Sequence, residues 1–218
     1  MQLNKALAVK PTLDDWEPSD TPGGWRKNLA IDPSAQNQST YLVRYDAGVK
    51  FPLHSHPNGE EIFVLDGTLI DENGKHPAGT YLRYPPGSSH TPRSEEGTTL
   101  LVKCNQFHVS DRSQVIINTQ ETDWLPGENF IEVMPLFESE DESVALQKWP
   151  AGTKTGPHRH FGGEEVFILT GCIYDEYGQF PAGSWIRYPH NSEHFPFTEE
   201  ETIFWIKSGH LLALEDGE

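Results

Sequence analysis

The stretch HSHPNGEEIFVLDG at residues 54–67 decides the fold, because the chain repeats it as HRHFGGEEVFILTG at residues 158–171. The second copy begins 104 residues after the first, which is 158 minus 54. The same offset aligns residues 42–90 with the second half without an insertion. A register kept over this length indicates two copies of one structural unit. We therefore predict a first domain at residues 1–109 and a second domain at residues 110–218.

Within each copy, short runs rich in β-branched and aromatic residues alternate with turns rich in glycine, proline, asparagine and aspartate. The runs of the first copy are Thr40–Tyr45, Glu61–Leu65, Thr80–Tyr84 and Thr98–Val102. No sustained helical period accompanies them. Many short strands at regular spacing indicate a sandwich or a barrel, so we predict an all-β protein with two antiparallel barrels. We also expect the N-terminal residues to complete a sheet.

Composition and charge limit the partners of this protein. Sixteen basic residues against 33 acidic residues give a formal charge of −17, and such a field repels nucleic-acid phosphates and anionic lipid surfaces. No apolar run approaches the ~20 residues of a membrane-spanning helix, and the apolar stretch within residues 1–10 is too short for a signal sequence. We therefore expect a soluble, cytoplasmic protein with no nucleic-acid partner and no membrane partner.

The repeated histidines predict a metal site in each half. Side chains two residues apart in a strand point to the same face about 7 Å apart, so His54 and His56 can hold one cation together. His90 is the natural third ligand, because a strand-turn-strand element that begins at Gly79 delivers it. A lone HxH is more often structural, but its repetition at one offset makes metal binding the better interpretation. The matching ligands of the second half are His158, His160 and His194.

A glutamate completes each set, and the residues alone leave two choices in each half. Glu60 is followed by Glu61, and Glu164 by Glu165. Adjacent residues of a strand face opposite sides, so only one glutamate of each pair can reach the metal. Three histidines and a carboxylate suit zinc, iron, manganese or nickel.

These motifs resemble those of the cupin superfamily, which implies a bicupin fold of two double-stranded β-helix (jelly-roll) barrels. The first cupin motif requires three residues between the second histidine and the glutamate, and six between the glutamate and a glycine. Both gaps fit Glu60 and Glu164, so the resemblance favours these two glutamates as the ligands. The second motif is matched from Gly79 to His90, although Asn191 replaces Gly87 in the second half and the final asparagine is absent from both halves. Asparagine tolerates a left-handed backbone, so we expect that turn to be kept.

The sequence around these motifs resembles the cupin domain of the ChrR-type anti-sigma factors over most of both halves. It includes HxHxxGEE, the PAG turns and RYPPGSSH at residues 83–90. The resemblance implies zinc binding and a response to oxidative stress. In that family a separate N-terminal helical zinc domain binds the sigma factor, but no HxxxCxxC motif lies before Leu42 here. We therefore do not expect this chain to bind a sigma factor.

Two functions fit these ligand sets. The first is a sensory or regulatory protein that binds a small molecule or responds to oxidative stress, with zinc as the first choice of metal. The alternative is a non-haem dioxygenase that cleaves a diketone or hydroxyketone, with iron, manganese or nickel. A storage or scaffold protein would not need two complete ligand sets. Monomer and homodimer are both compatible with the sequence.

The remaining singled-out residues are assigned structural roles. Cys104 and Cys172 are not spaced as CxxC, and both are predicted to be small buried apolar groups. Arg83 and Arg187 recur in both halves and are predicted to form solvent-exposed ion pairs rather than to clamp a substrate. No function is predicted for the histidines that lack a repeat partner, His76, His108 and His210.

Overall fold

The computed structural model describes residues 7–10, 16–32 and 37–211, and these form two compact units. The first unit comprises the described residues from 16 to 122, and the second comprises 7–10 together with 123–211. Both are built from antiparallel strands, which confirms the predicted all-β fold in two copies. The described helices are the single 3-10 turns Thr119–Glu121 and Glu128–Phe130, and neither could cross a bilayer.

The described residues contain a series of short strands that agree with the predicted runs. Thr40–Tyr45, Thr80–Tyr84 and Thr98–Val102 all lie within strands. In chain order the strands are β1 (Leu7–Val9), β2 (Glu17–Pro18), β3 (Gly24–Asp32), β4 (Gln38–Tyr45), β5 (His54–His56), β6 (Glu60–Asp71), β7 (Gly74–Pro77), β8 (Thr80–Tyr84), β9 (Ser88–His90), β10 (Thr98–Cys104), β11 (Val115–Asn118), β12 (Leu125–Pro126), β13 (Glu132–Glu138), β14 (Ser143–Trp149), β15 (His158–Arg159), β16 (Glu164–Thr170), β17 (Cys172–Asp175), β18 (Gly178–Pro181), β19 (Trp185–Tyr188), β20 (Glu193–His194) and β21 (Thr202–Ser208).

The two units repeat one topology. In the first unit the main sheet has the order β11-β8-β6-β10-β4-β3-β2, β7 pairs with β6, and β5 and β9 form a separate pair. In the second unit the main sheet has the order β1-β19-β16-β21-β14-β13-β12, and β15-β20 and β17-β18 are separate pairs. The small pair β5-β9 carries both histidines of the first HxH motif, and β15-β20 carries His158 of the second, with His160 directly after β15.

Alternation along the strands directs apolar side chains into one core in each unit. Burial of each large apolar side chain contributes roughly 2 kcal/mol. The core of the first unit includes Tyr45, Ile62, Val64, Leu69, Leu82, Leu100 and Val102. The core of the second unit includes Trp149, Val166, Ile168, Phe180, Ile186, Tyr188 and Phe204.

The edges of the main sheets explain why the compact units differ from the predicted domains 1–109 and 110–218 at their ends. β11 covers the edge of β8, with Val115 opposite Arg83, and β1 covers the edge of β19, with Leu7 opposite Arg187. Covering an edge satisfies backbone groups that would otherwise invite pairing with other chains. Residues 115–118 therefore belong to the first unit, and the N-terminal residues complete a sheet as predicted, in the second unit.

Gly67 lies inside β6 at a point where a side chain would not fit. Its φ is +71°, and a Cβ at this position would lie 2.1 Å from the carbonyl oxygen of Gly97. Left-handed strain costs ~1–2 kcal/mol and crowding adds ~1–3 kcal/mol, so Gly67→Ala is expected to lower the free energy of unfolding by about 3 kcal/mol. Urea denaturation followed by circular dichroism measures the loss.

Gly48 provides the matched control for this prediction. Its φ is +80°, but a Cβ there would meet no described atom within 4 Å. Gly48→Ala should therefore cost about 1 kcal/mol, from backbone strain alone. Equal losses for the two variants would contradict the role assigned to the close approach of Gly97.

Candidate metal centres

Three histidines converge in the first unit. His54 and His56 lie on β5, and His90 lies opposite His54 on the paired strand β9. The ring centroids are 4.8 Å apart for His54 and His90, and 4.9 Å apart for His56 and His90. Donor atoms of all three rings lie within 4.8 Å of one another, so small side-chain adjustments would let them share one cation. We call these residues, with Glu60, the first centre.

Glu60 opens β6 and faces these histidines. Its Oε2 atom is 3.2 Å from Nε2 of His56 and 3.4 Å from Nε2 of His90. The adjacent Glu61 points the other way and accepts a hydrogen bond of 2.5 Å from the hydroxyl of Tyr81. The structure thus brings Glu60, rather than Glu61, to the histidines.

The second unit brings together the equivalent residues His158, His160, Glu164 and His194, which we call the second centre, although Glu164 faces Nδ1 of His160 where Glu60 faces Nε2 of His56. Nε2 of His194 is 2.8 Å from Nε2 of His160 and 3.2 Å from Nε2 of His158. Glu164 Oε2 is 3.1 Å from Nδ1 of His160. Glu165 again faces away, and its Oε1 accepts a hydrogen bond of 2.6 Å from Nε of Arg187.

The donor atoms of the first centre fit a divalent cation. Nε2 of His56 and Oε2 of Glu60 are buried and lie 3.2 Å apart, but neither makes a hydrogen bond of good geometry among the described residues. A buried polar atom without a partner costs about 1–3 kcal/mol, and a cation between these donors would offset that cost. Neutral imidazoles and a carboxylate are a common ligand set for zinc, iron, manganese and nickel.

Burial sets the protonation of the donors. Burial and the neighbouring histidines lower the pKa of His56 to about 3, and the pKa of His160 to about 3. These rings are therefore neutral near pH 7, which is the form that binds metal. Burial raises the pKa of Glu60 to about 7 and the pKa of Glu164 to about 8. A bound cation would favour the ionised carboxylates and reverse this shift.

In each unit an aspartate lies on the Nδ1 side of the third histidine, His90 or His194, and the sequence did not predict this contact. Asp71 Oδ2 lies 3.5 Å from Nδ1 of His90, and it also accepts a hydrogen bond from the hydroxyl of Tyr84. Asp175 Oδ2 lies 3.8 Å from Nδ1 of His194. A carboxylate at Nδ1 orients the ring so that Nε2 faces the metal. The available signal was that Asp71 recurs as Asp175 at the offset of the repeat.

His76 supports the same aspartate in the first unit. Its Nε2 atom is 2.8 Å from Oδ1 of Asp71, and both side chains are buried. Burial alone would raise the pKa of Asp71, but hydrogen bonds from His76, His90 and Tyr84 hold that pKa well below its ordinary value. Asp71 is therefore an ionised carboxylate, which can accept a hydrogen bond from a protonated Nδ1 of His90.

Asp71→Asn is expected to weaken cation binding at the first centre by about 10–100-fold, because the amide accepts less strongly from Nδ1 of His90. Asp175→Asn should weaken the second centre to a similar degree. A competition titration against a chromophoric chelator measures both affinities. Glu72→Gln is the control, since Glu72 is exposed and its Oε2 accepts from the backbone of Thr91. An unchanged affinity in Asp71→Asn would contradict the orienting role.

The family model of the ChrR cupin-like domain matches residues 4–108 and 112–212. The chain belongs to this family. No curated protein sequence matches it at a significant level. In both copies of the ChrR cupin-like domain, three histidines and one glutamate lie together.

Solved structures share the fold of this ChrR cupin-like chain. A candidate dioxygenase from Nostoc punctiforme has a TM-score of 0.77 at 15% identity, covering 99% of this chain and 84% of that one. A candidate glyoxylate-induced protein from Pseudomonas aeruginosa has a TM-score of 0.74 at 14% identity, covering 97% and 91%. The oxalate decarboxylase of Bacillus subtilis, a protein with Mn(II) centres, has a TM-score of 0.66 at 14% identity, covering 95% and 78%. Identities this low support the fold alone.

The recurring arginines of the two ChrR cupin-like domains are not on the surface, so the prediction of solvent-exposed ion pairs is wrong. Arg83 and Arg187 are 1% and 4% exposed. Each lies directly across from the buried glutamate that faces away from the histidines, Arg83 opposite Glu61 and Arg187 opposite Glu165. Because these side chains share the strand face opposite to the histidines, they form buried ion pairs and do not reach the metal centres.

Cavities reach both centres. In the second unit a cavity of about 290 Å³ is lined by the four residues of the second centre and by Trp149, Ile186 and Phe204. In the first unit a smaller cavity of about 160 Å³ touches His54, Glu60 and His90. Small-molecule sites are typically apolar cavities with a few convergent polar groups, and the larger cavity of the second unit has this character.

The prediction for the cysteines holds fully for one of them. Cys172 is 3% exposed and belongs to the buried interior of the second unit. Cys104 is partly exposed, and its Sγ atom lies 3.6 Å from Oε1 of Glu60. Cys104 packs against the core of the first unit as predicted, but it is only partly buried, and the pairing of β10 with β6 also sets it directly opposite Glu60.

Proposed function

We propose that this protein is a metal-binding bicupin that holds one divalent cation in each unit and senses a small molecule or oxidative stress through these centres. The ligands are His54, His56, Glu60 and His90 in the first unit, and His158, His160, Glu164 and His194 in the second. The single observation that supports this most strongly is the convergence, at the first centre, of buried donor atoms that make no hydrogen bond of good geometry among the described residues, His56 Nε2 and Glu60 Oε2.

Zinc is the metal that we propose for these sites. Three histidines and a carboxylate can hold a four-coordinate zinc ion, which can also accept a fifth ligand, and zinc is also what the ChrR resemblance implies. Iron, manganese or nickel prefer more ligands and would keep positions open beside the same four residues. The Mn(II) centres of the structurally similar oxalate decarboxylase support manganese as an alternative at this type of site.

The cavity of the second unit supports a small-molecule ligand. It reaches all four residues of the second centre and has apolar walls that include Trp149 and Phe204. A ligand bound there would lie next to the cation, so its arrival could be reported by a change at the metal. We propose that the protein has no nucleic-acid partner and no sigma-factor partner. The cytoplasmic location stays a prediction, and both a monomer and a homodimer are compatible with the proposal.

Element-resolved mass spectrometry of untagged protein, purified with minimal use of chelators, tests the proposal. We expect one cation per unit, and a loss of one of the two in a His54→Ala/His90→Ala variant. The matched variant His158→Ala/His194→Ala should lose the other cation. The proposal would be contradicted by a folded protein that contains no metal after purification and takes up none when divalent cations are added.

A metal-dependent dioxygenase is the second candidate function. The specific observation in its favour is that the cavity of about 290 Å³ opens directly onto the second centre, so that substrate and O₂ could reach the metal. Oxygen uptake by the Fe(II)-loaded protein, with a panel of diketones and hydroxyketones, separates the two functions. Uptake that disappears in His158→Ala/His194→Ala would establish the enzyme, whereas ligand binding without uptake would support the sensor.

A further inference from the structure

The two centres differ in the side chain that β10 and β21 place beside the ligand glutamate. Cys104 ends β10 and lies opposite Glu60, and Ser208 ends β21 and lies opposite Glu164. These two positions are 104 residues apart, which is the offset of the repeat. The Sγ atom of Cys104 is 3.6 Å from Glu60 Oε1, and the Oγ atom of Ser208 is 3.5 Å from Glu164 Oε2. The repeat therefore offers a thiol to one centre and a hydroxyl to the other.

The thiol of Cys104 lies within reach of a cation at the first centre. One donor atom each from His56, Glu60 and Cys104 lie within 4.8 Å of one another. His56 and Glu60 are 7% and 6% exposed, and Nε2 of His56 and Oε2 of Glu60 make no hydrogen bond of good geometry in the described ranges. An open groove of about 410 Å³ is lined by these three residues and by His54, so an ion can approach the thiol from solvent.

Tyr41 and Arg26 complete the surroundings of the thiol. The hydroxyl of Tyr41 is 2.9 Å from Sγ of Cys104, and the guanidinium of Arg26 lies 3.6 Å from the centroid of the Tyr41 ring. The hydroxyl can donate a hydrogen bond to a thiolate, and the guanidinium supplies a nearby positive charge. Burial and the nearby carboxylate of Glu60 raise the pKa of the Cys104 thiol, whereas the Tyr41 hydroxyl and the Arg26 guanidinium act in the opposite direction, toward the thiolate that binds metal.

We propose that Cys104 is a further metal ligand of the first centre, which makes it a nitrogen, oxygen and sulfur site, while the second centre binds through nitrogen and oxygen. The inference rests on the proposed function. On binding, the thiol proton of Cys104 passes to solvent and the sulfur lone pair is donated to the cation. Thiolate ligands favour zinc and other soft ions, whereas imidazole and carboxylate also suit manganese and iron. The two centres thus differ in metal preference, with the first selective for zinc.

Cobalt(II) substitution tests this inference directly. A cobalt–thiolate bond gives a sulfur-to-cobalt charge-transfer band in the near ultraviolet, in addition to the visible ligand-field bands of any bound cobalt. We expect this band in the cobalt-loaded wild-type chain. Cys104→Ser should abolish it while the cobalt content of both units is kept. Cys172→Ser is the matched control and should leave every band unchanged.

The repeat provides a gain-of-function variant. Adding Ser208→Cys to Cys104→Ser moves the thiol to the second centre, and we expect the charge-transfer band to return in that double variant. In zinc competition, Cys104→Ser should lower the zinc-over-cobalt selectivity of the first centre by about tenfold or more, as expected when a soft ligand is lost.

The outcomes separate this inference from the function on which it rests. Full cobalt loading without a charge-transfer band, or a band that persists in Cys104→Ser, would overturn the role of Cys104 and leave the metal centres standing. A folded chain that takes up no cobalt in either unit would overturn both. A band that is present in the wild type, lost in Cys104→Ser and regained with Ser208→Cys would establish the thiolate ligand.

Discussion

Replacing Glu165 with alanine is expected to lower the free energy of unfolding of the second unit by about 3–5 kcal/mol. Glu165 is fully buried, and its Oε1 atom lies 2.6 Å from Nε and 2.5 Å from Nη2 of Arg187. The variant would remove this carboxylate while the guanidinium, 4% exposed, stays in the interior. Breaking such a pair leaves a buried charge without its partner, which is far more costly than losing a surface ion pair. Denaturant unfolding followed by tryptophan fluorescence measures the change.

The neighbouring glutamate is the matched control for this prediction. Glu164 is also buried, but burial raises its pKa to about 8, so its carboxylate contributes no comparable ion pair. Glu164→Ala should therefore change the stability of the metal-free protein by less than about 1 kcal/mol. Glu165→Gln keeps the volume of the side chain, so its loss of stability should lie between the losses in Glu164→Ala and Glu165→Ala. Equal destabilisation by Glu164→Ala and Glu165→Ala would contradict the assignment of opposite faces.

Glu60→Ala is expected to lower the metal affinity of the first centre by more than about 100-fold. Loss of an outer partner of a metal ligand typically costs 10–100-fold, and loss of a ligand should cost more. The structural reason is that Glu60 Oε2 lies 3.2 Å from His56 and 3.4 Å from His90. A chelator competition titration should be done in a His158→Ala/His194→Ala background, so that the second centre does not contribute.

Glu61→Gln is the control for the first centre. Glu61 accepts a hydrogen bond from Tyr81 and lies 3.6 Å from Nη1 of Arg83, on the face away from the histidines. The amide keeps the volume of the side chain, so we expect the metal affinity to be unchanged while the stability falls. The reverse result, with metal lost in Glu61→Gln and kept in Glu60→Ala, would mean that the register of β6 is wrong.

The proposed metal ligands were accessible from the sequence because they follow strand geometry and repetition. His54 and His56 are two residues apart and therefore share a face, which is a local property of any strand. Repetition then selected His90 and its partner His194 from the other histidines. The choice of Glu60 over Glu61 needed the cupin spacing, since strand alternation says only that the two residues face opposite ways.

The other contacts around the two centres depend on which strands pair with each other, and no local sequence pattern specifies strand pairing. Asp71 reaches His90 because β6 ends beside the strand that carries the histidine. Cys104 lies by Glu60 through the pairing of β10 with β6. Arg83 was predicted to be exposed because charged residues usually are, yet the pairing of β6 with β8 gives it a buried partner in Glu61.

The sequence by itself determined the all-β fold, its duplication and the histidines of both centres, because strand period, turn residues and a fixed repeat offset are all local or directly readable properties of a chain. The tertiary structure alone decided which side chains surround those histidines, which strands cover the sheet edges and where the cavities lie. The physical reason is that these contacts join residues far apart in the chain, and their formation depends on the packing of whole sheets rather than on any single segment.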